Sequence, residues 1–173
     1  MAAPTSRWSA AASKSPCLLC RPAASAAELA AHFHIRRRVF VKEQGLFNGG
    51  GGPGHDRDAH DDDPATIHVV GLADGVIGGT VRLYPLGGGD GRWKGDRLAV
   101  LPEHRRHGLG APLVRFAVAE AATRGGREME AYIQPANVTF FEWLGWRRVG
   151  VLVPYAGIRH QRMMIGLSPE WPA

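Results

Sequence analysis

The sequence predicts an α+β domain built around one mixed sheet, and three local patterns support this prediction. Two β-rich runs, 67–73 and 76–84, are joined by Asp74-Gly75, a strong signal for a two-residue hairpin. A third run, 93–100, passes through a glycine-containing turn into an amphipathic helix over about 109–124. Because further β-rich runs follow that helix, we expect a mixed, mostly antiparallel sheet of about seven strands.

Local signals place the remaining elements. Residues 16–21 are predicted to form a first strand. Ser25-Ala-Ala-Glu28 has the spacing of a capping box, so a helix is expected to begin there and to turn Leu29, Phe33 and Phe40 inward. The strands expected after the 109–124 helix cover 128–133, 146–151 and 162–167.

Composition indicates one globular domain. The 173 residues are 45% hydrophobic, enough to bury one core, so a single domain is expected over 16–173 after a mobile tail, 1–15. The sequence has no secretory signal core and no run of about 18 apolar residues, which favours a cytoplasmic protein without a membrane partner. The formal charge is +5, but no nucleic-acid-binding motif accompanies it, so a nucleic-acid partner is not favoured.

Two groups of residues resemble metal sites, and neither is predicted to be one. Cys17 and Cys20 stand as a lone Cys-x-x-Cys pair without further ligands at zinc spacing, so two reduced cysteines are expected. The run from His55 to Asp63 lacks the glycine of a calcium loop, and Ile67 stands where such a loop has its bidentate Glu. We expect this acidic run to be a solvated loop that attracts a cationic acceptor, and we expect no metal cofactor.

The turn before the 109–124 helix has the pattern Arg105-x-x-Gly108-x-Gly110. Glycines let a ligand approach the backbone closely, and free N–H groups at the start of the helix can bind an anion, so the turn predicts a pyrophosphate site. A dinucleotide-binding turn would need a third glycine where Leu113 stands. A phosphate-binding NTPase loop would need Gly-Lys-Ser/Thr, which the chain lacks.

This loop, with the downstream segment Gln134-Pro-Ala-Asn137-Val-Thr-Phe140-Phe141-Glu142-Trp143-Leu144-Gly145-Trp146, resembles the two signatures of the GNAT superfamily of acyl-CoA-dependent N-acetyltransferases. The resemblance implies a GNAT-type three-layer fold whose sheet is splayed between strands 4 and 5, with acetyl-CoA as acyl donor. It also implies a cofactor-binding set: Leu98, Ala99, Val100, Arg105, Arg106, His107, Gly108, Leu109, Gly110, Ala111, Asn137, Phe140 and Phe141.

The N-terminal half resembles one branch of that superfamily. The branch pattern is Ile35-Arg36-x-x-Val39-Phe40-Val41-x-Glu43-Gln44, and a later Gly157-Ile158-x-His160-x-x-Met163 also fits it. Within the branch the chain is most similar to a bacterial group labelled nitrogen-starvation N-acetyltransferases. The same N-terminal pattern is shared with acyl-homoserine-lactone synthases, which lack the Arg-x-x-Gly-x-Gly loop.

Acetyl transfer to an amine implies a base and a proton source. Glu43 is the first candidate for the base, and His160 and His68 follow; an ion pair for Glu43 and a packed role for His160 are the alternatives. Many GNAT enzymes protonate the leaving thiolate with a tyrosine, and this chain has Phe141 at that position. Tyr155 or water is expected to replace it.

The resulting functional hypothesis is an acetyl-CoA-dependent N-acetyltransferase that acts on a small-molecule amine by direct attack in a ternary complex. The alternatives are a non-catalytic acyl-CoA-binding or sensing module, an enzyme similar to acyl-homoserine-lactone synthases, and a basic nucleic-acid-binding protein. The loop 49–54 is expected to contribute to the acceptor pocket. Family resemblance also allows a homodimer through the sheet edge or the C-terminal strands.

Overall fold

The computed structural model describes residues 15–47, 54–155 and 157–168. The predicted tail, up to residue 14, and residues 49–53 of the glycine loop lie outside the described residues. The helices are α1 (Ala26–Arg36), α2 (Gly110–Thr123) and α3 (Val138–Trp143). The strands are β1 (Leu18–Pro22), β2 (Ile67–Ala73), β3 (Val76–Pro85), β4 (Arg92–Val100), β5 (Glu128–Ile133), β6 (Arg147–Arg148), β7 (Val153–Tyr155) and β8 (Ile158–Gly166).

All strands belong to one mixed sheet with the order β1-β2-β3-β4-β5-β8-β6, and β7 pairs with β8 beside this path. Only the β4–β5 pair is parallel among the described strand pairs, and α2 is the crossover between its two members. The predicted α+β class with a mixed, mostly antiparallel sheet is therefore confirmed. No helix in the described part of the chain has both the length and the apolar character needed to cross a bilayer.

The first hairpin forms where the sequence predicts it. Asp74 and Gly75 have φ values of +49° and +82°, the left-handed pair that a tight hairpin turn between twisted strands requires. The Asp74 side chain also accepts a hydrogen bond of 2.9 Å from the Cys17 N–H, which joins β1 to the turn. Cys17 is exposed and Cys20 half-buried, both are free thiols, and burial raises the pKa of Cys20 to about 11.

Helix α1 begins at the predicted cap but buries a different face. Ser25 Oγ accepts a hydrogen bond from the Glu28 N–H, as expected. The prediction of inward-facing residues is confirmed for Phe40, which packs against the core residues Ile35 and Val39, and is wrong for Leu29 and Phe33, which are half-buried and pack on neither core cluster of the described residues. The fully buried residues of α1 and of the π-helical segment that extends it (Arg37–Glu43) are His32, Ile35, Arg36, Val39 and Val41. Ile35 and Val39 pack on Ala99 and Leu101, while His32 and Arg36 contact the Val69 carbonyl and the Asp61 carboxylate.

The C-terminal strands differ from the prediction in length. The strand expected over 146–151 is reduced to β6, since Gly150 has a φ of +66° that turns the chain away. The strand expected over 162–167 begins four residues earlier as β8, because β7 forms a hairpin with it. This hairpin places Tyr155 and His160 near the C-terminal end of β5.

The main core lies between α2 and the sheet. Leu113, Ala117 and Ala121 of α2 are at most 2% exposed, and Leu113 packs directly on two strand glycines, Gly71 and Gly79. A Cβ atom at Gly79 would lie 2.8 Å from Leu113 Cδ1, too close for carbon atoms in contact. The close approach of helix and sheet therefore depends on the missing side chain.

We expect Gly79→Ala to lower the free energy of unfolding by about 1–3 kcal/mol, because overpacking forces Leu113 or the strand to shift. Urea denaturation of the two proteins measures the difference. Gly166→Ala is the matched control, since no atom lies within 4 Å of its added Cβ. Equal losses for the two variants would contradict a packing role for Gly79.

Candidate functional site

The candidate site is a cleft between β4 and β5. The two strands pair only from Arg92 opposite Glu128 to Lys94 opposite Glu130. Beyond these residues the strands separate, and a cavity of about 130 Å³ opens between them. The splay expected between the fourth and fifth strands is thus confirmed. Because the inner strand edges lack ladder partners there, an extended ligand can hydrogen-bond to them.

A β-bulge at Arg97 accompanies the separation. Arg97 has a φ of +54°, an uncommon value for a residue with a side chain, and the β3–β4 register shifts between Thr80 and Arg82. Such backbone strain persists only where surrounding contacts hold it. Arg97 is 8% exposed and fully engaged in ion pairs, which supply that restraint.

The bulge decides which backbone groups face the cleft. Leu101 N–H donates to β3, and backbone groups alternate in direction along a strand, so Val100 and Leu98 point towards the cleft. Ala99 points the other way and pairs with Thr80. Of the three β4 residues expected to offer backbone groups to a ligand, the structure thus presents two.

The predicted pyrophosphate loop forms a 3₁₀ turn (Pro102–His107) followed by α2. Gly108 connects them with a φ of +75°, and no atom lies within 4 Å of where its Cβ would stand. No group in the described residues accepts a hydrogen bond from the N–H of Leu109, Gly110 or Ala111, and no side chain caps α2. These donors and the positive end of the helix dipole fit a pyrophosphate.

Glu43 lies against this loop instead of in the cleft. Both of its carboxylate oxygens accept hydrogen bonds from Arg105 Nη2, at 2.8 and 2.7 Å. Arg105 Nε also donates to the carbonyl of Val100, at 3.1 Å. Arg106 is exposed and His107 half-buried beside them. The predicted base is therefore joined to the predicted cofactor loop, and it does not line the cavity.

The second sequence motif meets the first at the cleft. Asn137 precedes α3, lines the cavity, and makes no side-chain capping bond, so its amide is available to a ligand. A Cβ at Gly110 would lie 3.6 Å from Phe140 Cζ, which brings the two motifs into contact. Phe141 is 5% exposed and packs edge-on against Trp146, with ring centroids 5.4 Å apart.

Two candidate acid–base residues lie together on the opposite wall. The Tyr155 and His160 ring centroids are 5.2 Å apart, and both residues line the cavity. Arg97 Nη1 donates to Tyr155 Oη at 2.8 Å, which leaves the hydroxyl proton free to be donated. His160 Nδ1 lies 3.2 Å from the Ile158 carbonyl, so we assign its proton to Nδ1 and a free lone pair to Nε2. Burial lowers the pKa of His160, which keeps it neutral.

His68, the third candidate base, lies outside the cleft. Its Nδ1 is 3.4 Å from His32 Nε2, and its Nε2 is 3.2 Å from the Asp61 carbonyl. Burial lowers the pKa of both histidines. Their position between α1 and the acidic run indicates a role in packing.

Sequence reasoning missed three charged residues of the cleft: Lys94, Asp96 and Arg97. A signal exists, because Lys94 and Asp96 alternate with the buried Trp93 and Gly95 along β4. A central strand whose polar positions face inward indicates a polar cavity or cluster.

Asp96 and Arg97 also belong to a buried ion cluster that joins the acidic run to the sheet. The cluster contains three arginines and four aspartates: Arg36, Arg82, Arg97, Asp56, Asp58, Asp61 and Asp96. The expectation of a solvated loop is wrong for Asp56 and Asp61, which are 3% and 7% exposed, while the other residues of 55–63 are exposed as expected. The run has buried cationic partners, which composition alone cannot reveal.

Asp61 lies at the centre of this cluster. Its carboxylate accepts hydrogen bonds from Arg36 at 2.6 and 2.9 Å and lies 2.8 Å from Arg82 Nη1. Burial raises the pKa of Asp61, but the hydrogen bonds and charge of Arg36, with the charge of Arg82, lower it further, to well below its usual range.

Comparison with known proteins identifies the family to which the sequence is similar. The model of the acetyltransferase (GNAT) family matches residues 29–146. A mycothiol acetyltransferase of Kineococcus radiotolerans is 33% identical over 106 residues, which cover 61% of this chain and 33% of that protein. The matched region thus spans about a third of that relative.

Solved structures agree on the fold. A Lactobacillus plantarum protein, provisionally described as an N-acetyltransferase, superposes with a TM-score of 0.73 and 25% identity over 87% of this chain and 99% of that chain. BjaI, a CoA-dependent acyl-homoserine lactone synthase solved with SAM and isopentyl-CoA, superposes with a TM-score of 0.70 over 88% of this chain and 84% of that chain. At 16% identity, the likeness to BjaI concerns the fold alone.

We expect Asp61→Asn to lower the free energy of unfolding by about 3–5 kcal/mol at neutral pH, because it leaves buried guanidinium charge uncompensated. Since the folded-state pKa lies below the unfolded value of about 3.9, this contribution is fully present above the unfolded pKa and is lost as the pH falls below it and through the lower folded-state pKa. Urea denaturation between acid and neutral pH measures it.

Asp62→Asn is the control for this variant, since Asp62 is an exposed neighbour whose ion pair with Arg57 is 3.2 Å long. An Asp61→Asn loss no larger than that of Asp62→Asn would contradict the structural role of the cluster.

Proposed function

Because the chain belongs to the GNAT acetyltransferase family, we propose that it is an acetyl-CoA-dependent N-acetyltransferase that acetylates the amine of a small molecule. The observation that carries this proposal is the junction of an unpaired β4 edge with three free N–H groups at the start of α2. That junction suits a ligand with an amide-containing arm and a pyrophosphate. Within the family, segment 35–44 favours the branch that includes the nitrogen-starvation group.

The chain's residues fit such a cofactor on two sides. The N–H groups of Leu109, Gly110 and Ala111 would hold the pyrophosphate, and Leu98 and Val100 would hydrogen-bond the pantetheine arm. Asn137 and Phe140 flank the same path. BjaI, which has the same fold, was solved with isopentyl-CoA, and this supports the binding of an acyl-CoA by the fold.

When bound, acetyl-CoA supplies a thioester-activated acetyl group. The residues of the chain must then remove a proton from the acceptor amine and donate one to the leaving sulfur. An acceptor amine with a pKa near 10 is protonated at pH 7, and making it neutral costs about 4 kcal/mol. We propose that His160 Nε2 takes a proton from the acceptor amine, because it is neutral, faces the cleft and has no other partner in the described residues. Glu43 is less suited because Arg105 holds its carboxylate away from the cleft.

Transfer is a direct attack in a ternary complex: the amine nitrogen forms a bond to the acetyl carbon, and the carbon–sulfur bond breaks. We propose that the Tyr155 hydroxyl donates the proton that the sulfur takes up. Arg97 supports this role, because a guanidinium bonded to Tyr155 Oη stabilises the negative charge left on that oxygen. Phe141, at the usual position of the proton donor, only packs.

We expect Gly110→Asp to weaken acetyl-CoA binding at least tenfold, because its carboxylate would meet the pyrophosphate at the helix start. Calorimetric titration measures the dissociation constant. Gly110→Ala keeps the backbone and adds only a methyl group with room for it, so it is expected to bind within about threefold of the parent. Failure of the folded parent to bind acetyl-CoA would overturn the proposed function.

The role of His160 predicts a pH profile. We expect kcat/KM to rise with pH through a pKa below 6.5 and then to level off, since the neutral imidazole is the active form. His160→Gln should lower kcat/KM about 100-fold and remove this acidic limb. Free-thiol release from acetyl-CoA with a panel of amines is the assay.

Glu43→Gln distinguishes the two candidate bases. It is expected to change cofactor binding through its contact with Arg105 more than it changes the pH profile. If Glu43→Gln removes the acidic limb and His160→Gln does not, Glu43 is the base. Binding of acetyl-CoA without turnover of any amine would favour the acyl-CoA-sensing alternative.

A further inference from the structure

We infer that Lys94 and Tyr132 form a carboxylate-binding subsite in the acceptor half of the cleft, so that the acceptor is an amine that also carries a carboxylate. The inference rests on the proposed function, because it names the substrate class of that same site. Its basis is the state of each charged side chain that lines the cavity.

The other charged side chains of the cavity wall are already engaged. Asp96 accepts two hydrogen bonds from Arg82, at 2.7 and 2.6 Å. Arg97 is held by Asp56 and Asp58, with ion-pair distances of 3.0 Å to each, and also donates to Tyr155. Neither residue has an unused charge to offer a ligand.

Lys94 is different. Its side chain lines the cavity and is half-buried, and its Nζ lies 4.8 Å from the centroid of the Tyr132 ring. Within the described residues, no carboxylate oxygen lies within 4 Å of this ammonium. Glu130 is opposite Lys94 in the strand register, but it forms its ion pair with Arg162, which donates two hydrogen bonds to Glu130 Oε2. Lys94 is thus a cation of the cleft without an anionic partner.

An ammonium facing a cavity loses part of its hydration, and a π-face returns only part of that free energy. The cavity that Lys94 lines is partly apolar, with Phe40, Leu46 and Phe47 in its wall, and no hydrogen bond from Lys94 to its polar residues is formed within the described part of the chain. A ligand carboxylate would supply the missing acceptor, and a charge-assisted hydrogen bond in a partly dry site is a strong one. The Tyr132 ring keeps the ammonium on the cavity side of the strand.

The same wall connects Lys94 to the proposed acid–base residues. The Tyr132 ring lies 6.3 Å from the Tyr155 ring, and Tyr155 lies 5.2 Å from His160. The Tyr132 ring, which contacts the Lys94 ammonium, is therefore connected to His160, the proposed base, through the Tyr155 ring. An acceptor whose amine and carboxylate are far enough apart to span this wall can place its carboxylate at Lys94 and its amine at His160. An amine without an acid group would leave Lys94 unpaired.

The test compares amino acids whose amine and carboxylate are separated by chains of increasing length with their methyl esters as acceptors, in the free-thiol assay with acetyl-CoA. For the parent enzyme, we expect kcat/KM at least tenfold higher for the acids. Lys94→Met should reduce the acid-to-ester ratio at least tenfold, and Lys94→Arg should retain it, because a guanidinium also binds carboxylates. Lys42→Met, at an exposed position outside the cavity, is the matched control and should leave the ratio unchanged.

Calorimetry with N-acetyl amino acids, in the presence of CoA, tests the subsite without turnover. Binding by the parent and at least tenfold weaker binding by Lys94→Met supports it. Equal binding by the two proteins, or a parent that accepts esters as well as acids, overturns the subsite and leaves the acetyltransferase proposal intact. Failure of the parent protein to bind acetyl-CoA would instead overturn the acetyltransferase proposal.

Discussion

The buried arginine–aspartate cluster is the interaction on which the candidate site depends. It joins the acidic run before β2 to α1, β3 and β4, because Asp61 contacts both Arg36 and Arg82 while Asp56 contacts Arg36 and Arg97. Taking such charges out of water is costly, so the arrangement is stable only when every member keeps its partners. The cluster therefore specifies one position for a loop that would otherwise be solvated.

Arg97 connects this ion cluster to the candidate acid–base residues. The bulge at this residue lies in the part of β4 that is separated from β5, and the Arg97 guanidinium contacts Tyr155. A left-handed backbone conformation at an arginine is unfavourable by itself, and its ion pairs with Asp56 and Asp58 hold it. The same ion pairs therefore hold both the β4 bulge beside the cleft and the arginine that contacts a candidate proton donor.

Sequence predicted those parts of the molecule whose determinants are close together along the chain. The Asp74-Gly75 hairpin and the start of α2 at Gly110 follow from a few adjacent residues, and both form as predicted. The burial of Asp56 and Asp61 in the acidic run was missed because their arginine partners lie 20 to 41 residues away along the chain, and composition does not record them. Glu43 is similar, since its partner Arg105 is 62 residues distant.

The two walls of the cleft have different proposed functions: one binds the cofactor mainly through backbone groups, and the other provides acid–base and acceptor-binding side chains. On the α2–α3 side, free N–H groups and aromatic rings such as Phe140 suit a cofactor whose chemistry is constant. On the other side, β7 and β8 supply Tyr155 and His160, and β4 supplies Lys94. Phe141 fits this division, because a hydroxyl on the cofactor wall is dispensable when the opposite wall already holds one against Arg97. Acceptor choice then depends on the polar wall alone.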